Sequence, residues 1–309
     1  MTTFRFALVT VFFVFLLLIV GGMVNPTGSS LACPDWPLCY GHLMPSAEDI
    51  TNPDMVDNVF FEHGHRTVAT LVGLLTIILA ILIHRDPRSK EQKDLRKLGY
   101  IAVFLVILQG VLGGVTVLLK LPMAVSSAHL ALAMFFFCFT IYIAFRLWPG
   151  RIVEGNTRAF VAPRAWAMIA GLFVYSQIFL GALVRHTESG RACGQEIPFC
   201  GPDVWPSWGP AQLHMLHRYW GILAFTMVVV MAFRVAKVTQ TYEKPFANKI
   251  VWLLPALGVV QVVLGFLTVT TSISVPIVTA HLAIGALMLG GCWAVYLGLG
   301  PQADRVRRA

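Results

Sequence analysis

The chain has 309 residues, of which 57% are hydrophobic and 12% charged, whereas soluble domains carry about 25% charged residues. An ordinary water-soluble domain is excluded; so is a disordered chain, since 12% of residues are aromatic, and so is a secreted disulfide scaffold, since there are only six cysteines. The net charge of +8 raises nucleic acid as a partner, but the placement of the basic residues gives that charge another origin.

A hydrocarbon core about 30 Å thick takes about 20 mostly apolar helical residues to cross. Eight stretches qualify, at 6–24, 60–83, 98–119, 122–147, 165–184, 213–233, 250–270 and 275–299. None shows the period-two alternation of a membrane β-barrel strand, so all eight are expected to be helices. The first, behind Arg5, has the make-up of a secretory signal, but it has a counterpart in the second half, where no signal could lie. Eighteen of the 23 Lys and Arg fall at one set of span ends, at Arg5 and within 85–97, 146–164, 234–249 and 305–308. The opposite loops hold Lys120, Arg185 and Arg191, with Arg66 and Arg218 at helix starts. By the positive-inside rule both termini are cytoplasmic, and nucleic acid is not needed as a partner. No Arg- and Ser-rich leader precedes the first span, which points to a bacterial cytoplasmic membrane.

The chain is a tandem duplication. Gln109-Gly110-Val111-Leu112-Gly113 matches Gln261-Val262-Val263-Leu264-Gly265 at an offset of 152, as do Ala128-His129 with Ala280-His281 and His65-Arg66 with His217-Arg218. Upstream the offset is 160–161, where Thr27 meets Thr187, Cys33 meets Cys193 and Cys39 meets Cys200. Each repeat has four spans, so both enter the membrane in the same direction. The expected fold is an all-α membrane protein of two four-helix bundles, 1–150 and 151–309, related by a pseudo-twofold along the membrane normal, with a linker near 150–156.

Cys33 and Cys39 lie in the first outer loop and Cys193 and Cys200 in the third. On an oxidising outer face each pair can close a small-loop disulfide. The alternative is half of a tetrahedral zinc centre, which spacings of five and six intervening residues fit poorly. Cys138 and Cys292 lie inside spans and read as small core hydrophobes.

Four of the nine histidines, His65, His129, His217 and His281, repeat at the 152 offset. Ionisable residues inside spans are costly and usually functional. In each repeat the two fall at similar depth from the outer end, on helices two and four, so facing imidazoles can clamp a metal. Carboxylates are nearly absent from the spans, which disfavours di-iron, and two imidazoles do not complete a zinc site. A haem needs only two axial ligands, so one haem site per repeat is expected. Gly64, Gly73, Gly113, Gly114, Gly265 and Gly285 would leave room for a flat cofactor. Arg66 and Arg218 would face either haem propionates or phospholipid headgroups. Glu62 stands three residues before His65, where the second half has His214. That spacing puts Glu62 on the His65 face, where it would accept a proton or stabilise charge beside one haem only; the plainer role is an interfacial ion pair with Arg66.

As a set, Glu62-His63-Gly64-His65-Arg66, the Ala128-His129 and Ala280-His281 pairs, His217-Arg218, and Arg185-His186-Thr187-Glu188-Ser189 followed by Ala192-Cys193 resemble the haem A synthase family. The resemblance runs from the first span to the eighth. It implies oxidation of a ring methyl of haem O to a formyl group in two successive steps, for the terminal oxidase. It also implies that His217 and His281 ligate a resident haem b, that His65 and His129 hold the substrate haem O, and that Glu62 takes part in the chemistry. The cysteine pairs would be the outer-loop disulfides. His214 gives the second half an extra histidine, and the repeat offset favours His217 as the ligand. The implied partners are haem O, delivered by haem O synthase, an electron donor that no motif identifies, and membrane lipid. Two rivals remain in the sequence: a dihaem cytochrome passing electrons from quinol, and a parallel-repeat transporter whose midplane polar residues would be Gln109 and Gln261.

Overall fold

The computed structural model describes residues 2–50, 52–149, 157–202, 204–241, 247 and 250–299. The expected linker at 150–156 and the basic residues Arg151, Lys244, Lys249, Arg305, Arg307 and Arg308 lie outside them. Among the described residues there is no strand, only an isolated bridge between Cys39 and His42. Eight helices are long and apolar enough to cross a membrane. They are α1 (Thr2–Val24), α2 (Val56–Arg85), α3 (Lys93–Leu118), α4 (Met123–Leu147), α5 (Val161–His186), α6 (Gly209–Thr241), α7 (Leu253–Thr270) and α8 (Val275–Gly298). One further helical turn, Arg88–Glu91, lies between α2 and α3.

Several helices outrun their apolar stretches. α2 starts at Val56 and α6 runs on to Thr241, because hydropathy marks only the lipid-compatible part and nothing helix-breaking follows it. The stops are local chemistry. α1 ends before Asn25-Pro26, and α2 ends at Asp86 before Pro87, where a ring in place of an N–H cannot continue the ladder. Between α3 and α4 the chain turns through Lys120 and Leu121, at φ 56° and 62°. Between α7 and α8 it turns through Ser272 and Ile273, at φ 53° and 68°. Leu121 N–H donates to Thr116 O and Ile273 N–H to Thr268 O, so the two turns, 152 residues apart, close with the same bond.

In the first half α1 packs on α2, α2 on α3, α3 on α4 and α4 back on α1; in the second, α5 to α8 close the same ring. The halves meet through α1–α8, α4–α5 and α4–α8, and one hydrophobic core runs through both. At this seam a Cβ on Gly290 would stand 2.9 Å from the Phe137 ring, and one on Gly22 2.6 Å from Leu282. The described residues expected at the cytoplasmic face fall at one set of helix ends. There Arg88 donates to both Asp86 oxygens and to Leu147 O, tying the α2–α3 connection to the end of α4. The Arg88 hydrogen bond holds the Asp86 carboxyl down to about 2 against the opposing effect of burial. The opposite end carries the two cysteine loops.

Candidate functional site

The four repeated histidines stand near the loop end of their helices. His65 and His217 are nine and eight residues into α2 and α6, and His129 and His281 are six residues into α4 and α8. At about 1.5 Å of rise per residue all four sit roughly 9–14 Å from those helix starts. His65 and His129 lie within electrostatic range of each other, as do His217 and His281. The structure therefore brings together the pairs expected from the repeat.

Each ring rests on a glycine of a neighbouring helix. A Cβ added at Gly21 would meet His65 Cε1 at 2.8 Å, at Gly113 His129 Cε1 at 2.9 Å, at Gly181 His217 Cε1 at 3.1 Å, and at Gly265 His281 Cε1 at 3.3 Å. Gly113 and Gly265 were expected from the sequence. Gly21 and Gly181 were not, although they share the upstream offset of 160. Gly64 and Gly73 do not serve this purpose, because nothing lies within 4 Å of a Cβ at either. Gly114 instead admits the Trp36 ring of the first loop, and Gly285 admits Gln261.

Glutamines hold three of the four imidazoles. Gln109 Nε2 lies 3.3 Å from His129 Nε2 and donates to His129 O at 3.0 Å. Gln261 Nε2 is 3.3 Å from His281 Nε2. Gln177 Nε2 is 3.2 Å from His217 Nδ1 and donates to His217 O at 3.0 Å. The position equivalent to Gln177 is Leu17, so His65 has no such partner. Gln177 escaped the sequence reading, and Gln109 and Gln261 serve the histidines here. Nδ1 of His65, His129 and His281 is buried without a hydrogen bond, a costly state for a polar atom. Buried imidazole nitrogens in pairs, in a cradle that a single added carbon would fill, fit a planar iron macrocycle.

Glu62 is 2% exposed. Its Oε1 accepts from Arg66 Nη2 at 2.6 Å and its Oε2 from the Cys33 N–H at 2.8 Å. The ion pair with Arg66 exists, but it is buried, and both carboxylate oxygens are held in place. Arg66 Nη1 donates to Asp35 O and Leu38 O, each at 2.7 Å, and Nη2 also approaches Cys33 O at 3.5 Å. Arg218 Nη1 donates to Pro198 O and Phe199 O, while its Nη2 is buried without a partner. Each arginine thus pins its own cysteine loop. His214, 5% exposed, takes the place of Glu62, and its Nδ1 has no partner.

Cys33–Cys39 and Cys193–Cys200 are disulfides, each with Cα atoms 4.8 Å apart. The His63 ring lies beside the first, but sulfurs bonded to each other are not thiolate ligands. Cys138 and Cys292 are free. Of the remaining histidines, His42 pairs with Asp49 and His84 with the Tyr100 hydroxyl, both away from the paired rings.

A family model described as cytochrome oxidase assembly protein (COX15-CtaA) matches residues 4–293. Among curated relatives, "Heme A synthase" of Shouchella clausii is 31% identical over 238 residues, 74% of this chain and 74% of that protein. "Heme A synthase" of Alkalihalophilus pseudofirmus is 27% identical over 73% of this chain and 74% of its own length. "Heme A synthase" of Shewanella oneidensis is 26% identical over 91% of this chain and 92% of its own length. With eight apolar helices and a family match along nearly its whole length, the chain is a multi-pass membrane protein that belongs to the COX15-CtaA family of cytochrome oxidase assembly proteins.

Proposed function

We propose that this chain is a haem A synthase, an oxidoreductase that converts a ring methyl of haem O to a formyl group. The observation that carries the proposal is the asymmetry of two otherwise matched histidine pairs. Both rest on glycines at one end of the bundle, and only the His65/His129 pair has a carboxylate, Glu62, on the helix that carries it. The relatives named "Heme A synthase" support the same reading. The two halves, 1–150 and 151–309, act as two haem-binding units related by a pseudo-twofold. His65 and His129 hold substrate haem O, and His217 and His281 hold a resident haem b, which supplies one-electron transfer when bound. Haem O arrives from haem O synthase; with water as the source of oxygen, the external redox partner, expected from the sequence as an electron donor, acts instead as an electron acceptor. The chain sits in a bacterial inner membrane with its basic end and termini cytoplasmic and its disulfide loops outside.

Each of the two oxidations removes two electrons and two protons and adds one oxygen from water at the methyl carbon. The first gives the alcohol and the second the hydrated aldehyde, which loses water to become the formyl group. Glu62 receives a proton from the reacting carbon or stabilises positive charge beside it. Arg66 and the Cys33 N–H fix the direction of the carboxylate, so little reorganisation is needed at reaction. The burial of Glu62 beneath the cysteine loop shields the carboxylate from bulk solvent.

Glu62→Gln keeps the shape and one acceptor and removes the base. The expected result is accumulation of haem O or its alcohol with haem b still bound, read by extracting pigment from the purified variant. A normal haem A yield overturns the role of Glu62. Wild-type protein carrying haem b alone, with haem O left unchanged, would support the dihaem cytochrome instead.

A further inference from the structure

We propose that Arg185 and His186, carried by the second half, complete the first-half site by binding a propionate carboxylate of the haem held there. This rests on the functional reading above.

The two halves differ in how much cationic capacity their rims keep. Arg218 has a buried Nη2 with no partner, which leaves a donor pair for a carboxylate at the second-half site. Arg66 has no such reserve. Its two terminal nitrogens serve Asp35 O, Leu38 O, Glu62 Oε1 and Cys33 O, and its charge is matched by Glu62. A haem with two carboxylates needs another cation in the first half.

Arg185 sits in the last turn of α5 and reaches across the seam. Its Nε donates to Asn25 Oδ1 at 2.8 Å and its Nη2 to Gly22 O at 3.2 Å. Gly22 adjoins Gly21, the glycine on which the His65 ring rests. The next residue, His186, lies within electrostatic range of His129. The dipeptide therefore lies near both members of the first-half pair: Arg185 is hydrogen-bonded to the end of α1 beside Gly21, and His186 is within electrostatic range of His129. Among the described residues Arg185 forms no ion pair, and both its contacts are with neutral oxygens, so its charge is available to an anion. A guanidinium binds a carboxylate through charge-assisted hydrogen bonds, about twice as strong as neutral ones.

The arm has no counterpart at the matching positions of the repeat. The equivalents of Arg185 and His186 are Asn25 and Pro26, so these two positions give the second-half site no cation. The half whose own arginine is spent on a carboxylate is the half that borrows one.

The test uses full-length protein retaining its resident haem, titrated with haem O and separately with haem O propionate dimethyl ester, and followed by visible absorption. Arg185→Gln should weaken haem O binding about tenfold and leave the ester unaffected. Arg185→Lys should recover most of the loss, and His186→Ala should cost about threefold for haem O alone. Equal loss for acid and ester would make Arg185 a structural tie across the seam and overturn the proposal, as would no loss for either. Wild-type protein that takes up no haem O would overturn the functional reading itself.

Discussion

The half containing His65 and the half containing His217 place the same rings on the same glycines, yet furnish them differently. In the first half Glu62 and Arg66 neutralise each other and bind the Cys33–Cys39 loop to α2. In the second, His214 stands where Glu62 would, Gln177 stands where Leu17 would, and Arg218 keeps a buried donor unused. On the proposed function the second half holds its ring still: Gln177 and Gln261 brace the two histidines, and Arg218 keeps a donor for an anion. The first half gives up one brace and spends its arginine to keep a carboxylate in place. On that function, retention and reaction make different demands on one scaffold, and the substitutions between the repeats match the difference.

The strongest way to break this comparison is to remove ligands one half at a time. His217→Ala or His281→Ala should abolish the resident haem, with loss of most visible absorption in the purified protein. His65→Ala or His129→Ala should leave that spectrum intact and abolish haem O uptake. Loss of the resident haem from a first-half variant would dissolve the division of labour. A smaller effect is expected at the cradle. Gly21→Ala places a carbon 2.8 Å from the His65 ring, and such overpacking costs about 1–3 kcal/mol. First-half haem affinity should fall roughly tenfold, and the thermal midpoint should fall by less than the overpacking alone would give, because alanine favours helix over glycine by about 1 kcal/mol. Gly181→Ala, with its contact at 3.1 Å, should do less, and the affinities of the pair measure how tightly each ring is seated. The smallest effect is expected from Gln177→Leu, which makes the second half resemble the first. Of its two contacts with His217, the one to the ring bears on the ligand; such a hydrogen bond is worth about 0.5–1.5 kcal/mol, so the resident haem should dissociate several-fold faster, as followed by transfer to an acceptor protein. An unchanged rate would show that Gln177 does not brace the ligand.

The helices, the duplication and the four histidines were legible from the sequence because each leaves a one-dimensional trace. Apolar runs mark spans, and histidines are conspicuous against them. Gly21, Gly181 and Gln177 left little trace. The first two lie in apolar stretches of their helices, and their purpose appears only when a ring from the next helix comes to rest on them. Apart from the ion pair with Glu62, the commitments of Arg66 were equally invisible, since its other acceptors are backbone carbonyls 28 to 33 residues away. Arg185 marks the limit most clearly. In sequence it is a lone outer cation, and only the packing of the halves brings it to Asn25, 160 residues away.

The seam itself has a consequence for timing. Gly290 lets α8 press against Phe137, and Gly22 receives Leu282, so the two bundles share one close-packed interior that resists gradual deformation. On the proposed function, single electrons pass between rings held in separate bundles, and tunnelling slows exponentially as the gap widens. Close contacts at Gly22 and Gly290 limit how far that gap can drift from one turnover to the next, which favours a steady pace of transfer.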